Sequence, residues 1–249
     1  MINLILNGVC GHMGRTIVKE AEQREDCRVV CGFDPRTCED FSFPVYQSFE
    51  QYREDGSVII DFSHPSALSG ILGFAKEKKL PIVIATTGLS GEQKQEISLA
   101  AKEIPVFFSA NMSLGINLLI DLAKKAQAVL DGFDIEIIER HHNQKIDAPS
   151  GTALAIADAL SEQGRYEYTY DRHARRQKRS SSEIGIHAVR GGTIVGDHTV
   201  LFAGKDEVIE LHHSAASKEV FATGSIRAAL FLVQKPAGLY SMEDLVNTL

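Results

Sequence analysis

Short apolar runs recur through the first part of the chain, at 2–6, 28–33, 58–62, 81–85 and 105–108. Their apolar character is continuous rather than alternating, which predicts strands buried on both faces. Amphipathic stretches with helical spacing lie between or beside them, at 15–23, 66–79 and 91–103. Strand–helix alternation of this kind predicts an α/β fold, with a parallel sheet covered by helices on both faces. A longer helical stripe follows at 114–130, carried by Leu114, Leu118, Leu119, Leu122, Ala126 and Val129. Beyond it the pattern changes. Residues 134–139 set Ile135 and Ile137 against Glu136, a helix is expected at 152–162, and strand-like runs follow at 183–189, 193–202 and 207–214. Gly191-Gly192 marks a turn among them, and 221–233 reads as helix again. Successive strands predict a second domain of the α+β type on a mixed, open sheet. The stretch 164–182 has no apolar period; Arg172, Arg175, Arg176, Lys178 and Arg179 make it either a solvated loop or a mobile lid that draws in an anionic ligand.

Composition narrows the class. The 249 residues are 44 % hydrophobic, enough for a real core and too many for a disordered chain. A net charge of −7 argues against nucleic acid as a partner. No apolar run approaches the length of a membrane span, and no basic segment precedes the strand-like 2–6, so a cytoplasmic protein with no membrane partner is expected. Cys10, Cys27, Cys31 and Cys38 make neither a C-x-x-C pair nor a zinc spacing. They are expected to be reduced, inert thiols, and no metal site is expected.

Gly8-Val9-Cys10-Gly11-His12-Met13-Gly14-Arg15 sits between the first strand and the first helix. Glycines there permit a tight turn and bring backbone N–H groups close to a pyrophosphate at the positive end of the helix. Asp34 ends the second strand 20 residues after Gly14, where a carboxylate meets the ribose hydroxyls of a dinucleotide. The spacing is G-x-x-G-x-x-G rather than G-x-G-x-x-G. Asp34 favours NADH, because a carboxylate repels a 2′-phosphate, while Arg15 and Arg36 leave NADPH open. Two further strand ends, Ala85-Thr86-Thr87-Gly88 and Ser109-Ala110-Asn111-Met112, offer small polar groups where open sheets bind ligands. At a third, Asp61-Phe62-Ser63-His64-Pro65, Ser63 or Ser66 is expected to cap the next helix and His64 to lie on the surface.

The densest chemistry lies in Glu139-Arg140-His141-His142-Asn143-Gln144-Lys145-Ile146-Asp147-Ala148-Pro149-Ser150-Gly151-Thr152. Every ionisable group from 140 to 146 is basic. Neighbours on an extended segment face opposite ways, so His141 and His142 are expected to do different jobs. Ser150 is a natural helix cap, and Gly151 and Thr152 offer N–H groups and a hydroxyl that suit a carboxylate. The set fits proton transfer to a carboxylate-bearing substrate beside a hydride donor. The other histidines, His198 among them, read mostly as structural or surface residues. Another nicotinamide-dependent dehydrogenase of the same architecture, or a non-catalytic nucleotide sensor, would explain the glycine loop but not this segment.

This segment resembles the signature of the 4-hydroxy-tetrahydrodipicolinate (dihydrodipicolinate) reductase family. The loop from Gly8 to Arg15, Thr86-Thr87-Gly88, the stretch from Ser109 to Ser113 and the run from Ile184 to His198 are similar to that family too. The resemblance implies a Rossmann-like domain, 1–112 with 216–249, and a substrate-binding and oligomerisation domain, 113–215, in a homotetramer. It implies reduction of a small cyclic dicarboxylate by NADH or NADPH, with loss of water, in the diaminopimelate route to lysine. His141 and Lys145 become the proton-transfer groups, and His142, Gly151 and Thr152 bind substrate. Gly8, Val9, Cys10, Gly11, His12, Met13, Asp34, Ala85, Thr86, Thr87, Ser109, Ala110, Asn111 and Met112 become cofactor contacts. Three features depart from the family pattern: Ala85 where members often carry Gly, Pro35 where some carry a basic residue, and a 171–182 loop rich in Arg and poor in Gly.

Overall fold

The computed structural model describes residues 1–38, 40–161, 164–173 and 175–248. In chain order the elements are β1 (Ile2–Asn7), α1 (His12–Glu22), β2 (Cys27–Phe33), β3 (Val45–Tyr46), β4 (Val58–Asp61), α2 (Leu68–Lys78), β5 (Ile82–Ile84), α3 (Gly91–Ala100) and β6 (Pro105–Phe108). There follow α4 (Leu114–Val129), β7 (Asp134–His141), α5 (Gly151–Leu160), β8 (Glu167–Thr169), β9 (Glu183–Arg190), β10 (Gly196–Ala203) and β11 (Val208–Ala215). The last are α6 (Glu219–Leu232), β12 (Gly238–Tyr240) and α7 (Met242–Val246). They form two compact units, 1–114 with 219–249, and 115–218.

In the first unit the strand order is β12-β6-β5-β4-β1-β2-β3, with every neighbouring pair parallel. The continuous apolar runs follow from burial on both faces. Leu4, Leu6, Val58, Ile60, Val83 and Phe107 pack with Ile17 and Val18 of α1 and Ala222 and Ile226 of α6. Ile5, Ile59, Ile82, Ile84 and Val106, one position out of step, pack with Ile71, Leu72 and Phe74 of α2 and Ile97 of α3. Strand order reverses between β1 and β4, and the carboxyl ends of strands at such a point are where open α/β sheets hold ligands. Helix α1 packs tightly against the end of β1 because residue 14 is glycine. A Cβ there would lie 2.5 Å from the carbonyl oxygens of both Gly8 and Val9.

The second unit is built on the order β11-β10-β7-β9-β8, with β7–β9 and β8–β9 parallel and β10 antiparallel to β7 and β11. This is the mixed, open sheet that the succession of strands predicts. Ile135, Ile137, Ile184, Ile186, Val200 and Phe202 of its inner face pack with Ile116 and Leu119 of α4 and Ala153, Ile156 and Leu160 of α5. Burial in β7 alternates without a break, so Ile135, Ile137, Glu139 and His141 all fall on the buried side. Two isoleucines anchor the strand, and its last two inward positions carry charge chemistry.

The structure redraws 164–182. Its described residues include β8, and three of its arginines are bound to acidic residues. Arg179 donates to Asp134 at 2.7 Å and Glu136 at 2.9 Å, and to the carbonyls of Ile135 and Glu183. Arg175 meets Glu167 at 3.2 Å, and Arg172 pairs with Glu183. Their charge is matched by strand-end carboxylates rather than left for a ligand. Strands β3, β8 and β12 escape the sequence pattern because two or three residues give no measurable period.

The close packing of α1 on β1 has a direct test. Gly14→Ala is expected to lower stability by about 1–3 kcal/mol, because its new methyl meets backbone that cannot move aside. Urea unfolding followed by circular dichroism reads the change.

Candidate functional site

The glycine loop shows its capacity once its N–H groups are traced. Gly8 and Val9 both donate to the Phe33 carbonyl, Cys10 donates to Asp34 Oδ2 at 3.0 Å, and Gly11 donates to the Gly8 carbonyl. Four loop N–H groups are therefore committed within the protein. Val9 is wholly buried, with its side chain in the core, so it supports the turn from beneath. Gly11 caps α1 without a side chain, and the first turn of the helix carries no acidic residue. The first-turn N–H groups at His12 and Met13 are thus the ones suited to an anion. The feature suited to an anion is the helix start more than the loop before it.

A cavity of about 330 Å³ in the same unit is lined by Met13, Phe62, Ser63, Ala85, Thr86, Thr87, Ala110, Met112 and Phe221. The strand ends at 85–87 and 110–112 meet there, as the fold predicts. Ser109 and Asn111 do something else. The Ser109 hydroxyl donates to the Asn111 carbonyl at 2.8 Å, and the Asn111 side chain accepts from the Ser113 N–H at 2.9 Å, which shapes the turn. Beneath the cavity Asp61 is fully buried. It accepts from Asn7 at 2.8 Å, Ser63 at 2.6 Å and Thr86 at 2.7 Å. Burial pushes its carboxyl above the ordinary value, and hydrogen bonds from Ser63, Thr86 and Asn7 only partly oppose this. Ser63 is therefore tied to Asp61 and the cavity rather than to a helix. The cap of the next turn is His64, whose Nδ1 accepts from the Ser66 N–H at 3.2 Å.

Asp34 is 3 % exposed and faces inward. Its Oδ1 accepts from the Arg36 N–H and Nε, both at 3.0 Å, and its Oδ2 from Cys10 N–H and Arg36 Nη2. Burial alone would raise its carboxyl, but the bonds from Arg36 and Cys10 outweigh burial and hold it below the ordinary range. A guanidinium thus lies on the acid expected to meet ribose. The thiols correct a sequence expectation: Cys10 and Cys38 are joined in a disulfide, with Cα atoms 6.0 Å apart. They are distant in sequence, but β1 and β2 are parallel neighbours, so the loops leaving their carboxyl ends meet. Cys27 and Cys31 are free and buried, and burial pushes them to about 11 and about 12 respectively.

In the second unit, β7 and the start of α5 bring the basic segment together. His141 is 8 % exposed and His142 half-buried, so the two rings do occupy different surroundings. His141 Nδ1 lies 2.6 Å from Glu139 Oε2. Glu139 also accepts from both terminal nitrogens of Arg190, at 2.7 and 2.8 Å, and from the Ser150 N–H at 3.0 Å. Burial raises the Glu139 carboxyl, but Arg190, His141 and Ser150 together hold it below its ordinary value. Lys145 Nζ lies 2.8 Å from Asp147 Oδ1. Asp147 is held below the ordinary carboxylate range first by Lys145. The lysine expected to transfer a proton therefore already holds one of the protein's own carboxylates. Ser150 caps α5 as predicted, accepting from the Ala153 N–H at 3.1 Å, and Thr152 sits half-buried in the first turn.

Sequence reasoning missed four participants. Glu139 stood in the signature, and the alternation of β7 flags it, because a glutamate on the face of two core isoleucines needs a partner. Arg190 is its partner, placed beside His141 by the register of β7 on β9. His198, opposite Glu139 on β10, is buried, with Nε2 3.2 Å from the Ser150 hydroxyl and its ring 5.2 Å from that of His141. Burial, with His141 next, lowers it to about 4. Phe221 reaches the cavity of the first unit from α6, which no local motif announces. Among the described residues no group of three or more His, Cys, Asp or Glu is placed to hold a metal. No helix among them is long and apolar enough to cross a membrane.

Comparison with known proteins places these features. Two family models, described as dihydrodipicolinate reductase N-terminus and C-terminus, match residues 2–112 and 115–246. The chain is 52 % identical to the 4-hydroxy-tetrahydrodipicolinate reductase of Caldanaerobacter subterraneus, over 99 % of both chains. It is 45 % identical to that of Clostridium tetani, over 100 % of this chain and 98 % of the relative. Among solved structures, the dipicolinate-bound dihydrodipicolinate reductase of Paenisporosarcina sp. TG-14 superposes with a TM-score of 0.81 at 25 % identity, covering all of both chains. The diaminopimelate (DAP) dehydrogenase of C. glutamicum shares the fold, with a TM-score of 0.61 at 15 % identity, covering 98 % of this chain and 95 % of that one. With both family models matched in order along one polypeptide, the chain belongs to the dihydrodipicolinate reductase family.

Proposed function

We propose that this chain reduces 4-hydroxy-tetrahydrodipicolinate to tetrahydrodipicolinate with loss of water, using NADH or NADPH, in the diaminopimelate route to lysine. The observation that carries the reading is the gathering of His141, Lys145 and the start of α5 within the second unit of a chain that matches this family along its length. A bound nicotinamide supplies the hydride. The rest is done by the protein. The open start of α1 suits the pyrophosphate, and the cavity lined by Thr86, Thr87 and Ala110 suits a flat ring of nicotinamide size.

Loss of the 4-hydroxyl as water leaves a conjugated cyclic imine, and hydride addition leaves an electron-rich enamine that must take up a proton. Lys145 Nζ and His141 Nε2 are the groups proposed to deliver it. Asp147 holds Lys145, a few residues before the start of α5. A substrate carboxylate carries the same charge, and it is proposed to take Lys145 in Asp147's place and to meet the Gly151 N–H at the start of α5. His142 and Thr152 complete the proposed substrate contacts. The second unit is also proposed to assemble four copies; Val189, Val208 and Ile209 are exposed on its sheet.

For the cofactor, Arg36 changes the reading of Asp34. A carboxylate neutralised by a guanidinium no longer repels a 2′-phosphate, so both cofactors are proposed to be accepted.

Lys145→Ala is expected to lower kcat by about 10²-fold or more while nucleotide binding survives, measured by NAD(P)H consumption with freshly generated substrate. Turnover within a few-fold of the parent would remove Lys145 from proton delivery. Arg36→Ala is expected to raise KM for NADPH more than for NADH, and Asp34→Ala the reverse; equal losses would remove both from the ribose site. The site also has an acid limit. Glu139 is held below its ordinary value of 4.5, so the unfolded chain takes up its proton first as pH falls. Its stabilising contribution is full above that value and is lost as pH drops through the lower folded one. Calorimetry from neutral pH downward is expected to show the melting temperature falling, less steeply in Glu139→Gln.

A further inference from the structure

Behind His141 lies a carboxylate as closely held as the imidazole. Glu139 has no solvent exposure. Its two oxygens take four contacts: His141 Nδ1 at 2.6 Å and Arg190 Nη1 at 2.8 Å on Oε2, and Arg190 Nη2 at 2.7 Å and the Ser150 N–H at 3.0 Å on Oε1. An ionised carboxylate only accepts, and guanidinium does not release its proton. Nδ1 of His141 must therefore carry the hydrogen of that contact, and Nε2 is the nitrogen left to exchange one. Next to Nε2 the chain has Gly196, where a Cβ would lie 3.0 Å away. The same Arg190 donates to the Asp147 carbonyl at 2.6 Å, which ties the segment bearing Lys145 to the anchor that holds His141.

Stability alone is a poor reason for this arrangement. Positions 135 and 137 on the same face are isoleucine, and a third apolar side chain would extend the core. A buried ion pair seldom outperforms apolar residues of similar volume once desolvation is counted. The neighbouring His198 adds no charge, since it is held near 4 by burial.

We propose that Glu139 and Arg190 are positioning residues: together they fix His141 with the hydrogen on Nδ1 and Nε2 presented for proton exchange, and Arg190 sets the place of Lys145 relative to it. The proposal rests on the reading of His141 as a proton-transfer group. The carboxylate also compensates the imidazolium formed whenever Nε2 takes up a proton.

The test uses the full-length protein with ¹⁵N-labelled histidine. The ring nitrogens of His141 are expected to report either the Nδ1–H tautomer or the imidazolium, and in Glu139→Gln the balance of forms shifts. Kinetically, Glu139→Gln is expected to lower kcat by about 10- to 100-fold, within the range a positioned acid–base group contributes, with KM for the nucleotide unchanged. Arg190→Lys keeps the charge and is expected to retain more turnover than Arg190→Met. A neutral Nε2–H tautomer in the parent protein overturns the proposal, even if the Glu139 variant fails to fold. So does a Glu139→Gln enzyme with the parent's kcat and ring shifts. His141→Ala separates the two layers. If it turns over within a few-fold of the parent, the assignment of His141 falls and the positioning role with it. If it is slow while Glu139→Gln is not, only the positioning role falls.

Discussion

A carboxylate removed from water must be matched by donors, and that requirement organises the second unit. Glu139 occupies an inward position of β7 with no solvent exposure. Leaving such a charge unpaired costs several kcal/mol, so the sheet must deliver cations and N–H groups to it. Arg190 arrives from β9, the Ser150 N–H from the start of α5, and His141 from two residues along the same strand. The partners that satisfy the carboxylate are the elements that carry the proposed chemistry. Satisfying one buried group thereby fixes the ends of β7, β9 and α5 together.

The first unit buries a carboxylate at a strand end too, with the opposite electrostatic result. Among the described residues Asp61 accepts from Asn7, Ser63 and Thr86, all neutral, and burial pushes it up. Glu139 accepts from a guanidinium and an imidazole, and they hold it down against burial. Asp61 also lies deeper among protein atoms than Glu139, so depth and partners both contribute to the contrast. Asp61 serves as a hydrogen-bond hub that sets Ser63 and Thr86 at the cavity, whereas Glu139 keeps a full negative charge beside a titratable ring.

What the sequence made legible follows from the reach of each signal. Continuous apolar runs at 2–6, 58–62 and 81–85 declare a doubly covered parallel sheet, because period and composition are local properties. The cap at Ser150 and the helix start after Gly11 are equally local. Contacts that depend on register were out of reach. Cys10 meets Cys38 only because two parallel strands end side by side, and Arg190 meets Glu139 only through the pairing of β7 with β9. The partners of Arg172, Arg175 and Arg179 were out of reach for the same reason: their carboxylates lie on strands, so their charge looked unmatched. Glu139 is the instructive middle case, since alternation alone marks an inward glutamate while its partners cannot be named without the fold.

The two helix starts show how one backbone feature is directed to different anions. In α1 the cap is a glycine with no side-chain acceptor, no acid lies in the first turn, and the preceding N–H groups are already committed to Phe33, Gly8 and Asp34. Among the described residues none competes for the remaining N–H groups, which suits a polyanion held by backbone alone. In α5 the Ser150 hydroxyl takes the Ala153 N–H, and Asp147, shortly before the cap, holds Lys145. A substrate carboxylate proposed to bind Lys145 must replace an internal one of equal charge, so its net gain is the difference between two similar ion pairs. Such a site discriminates by fit more than by charge. That suits a small rigid dicarboxylate whose ring has to be oriented, whereas the open helix start suits a long flexible cofactor that is anchored first and aligned afterwards.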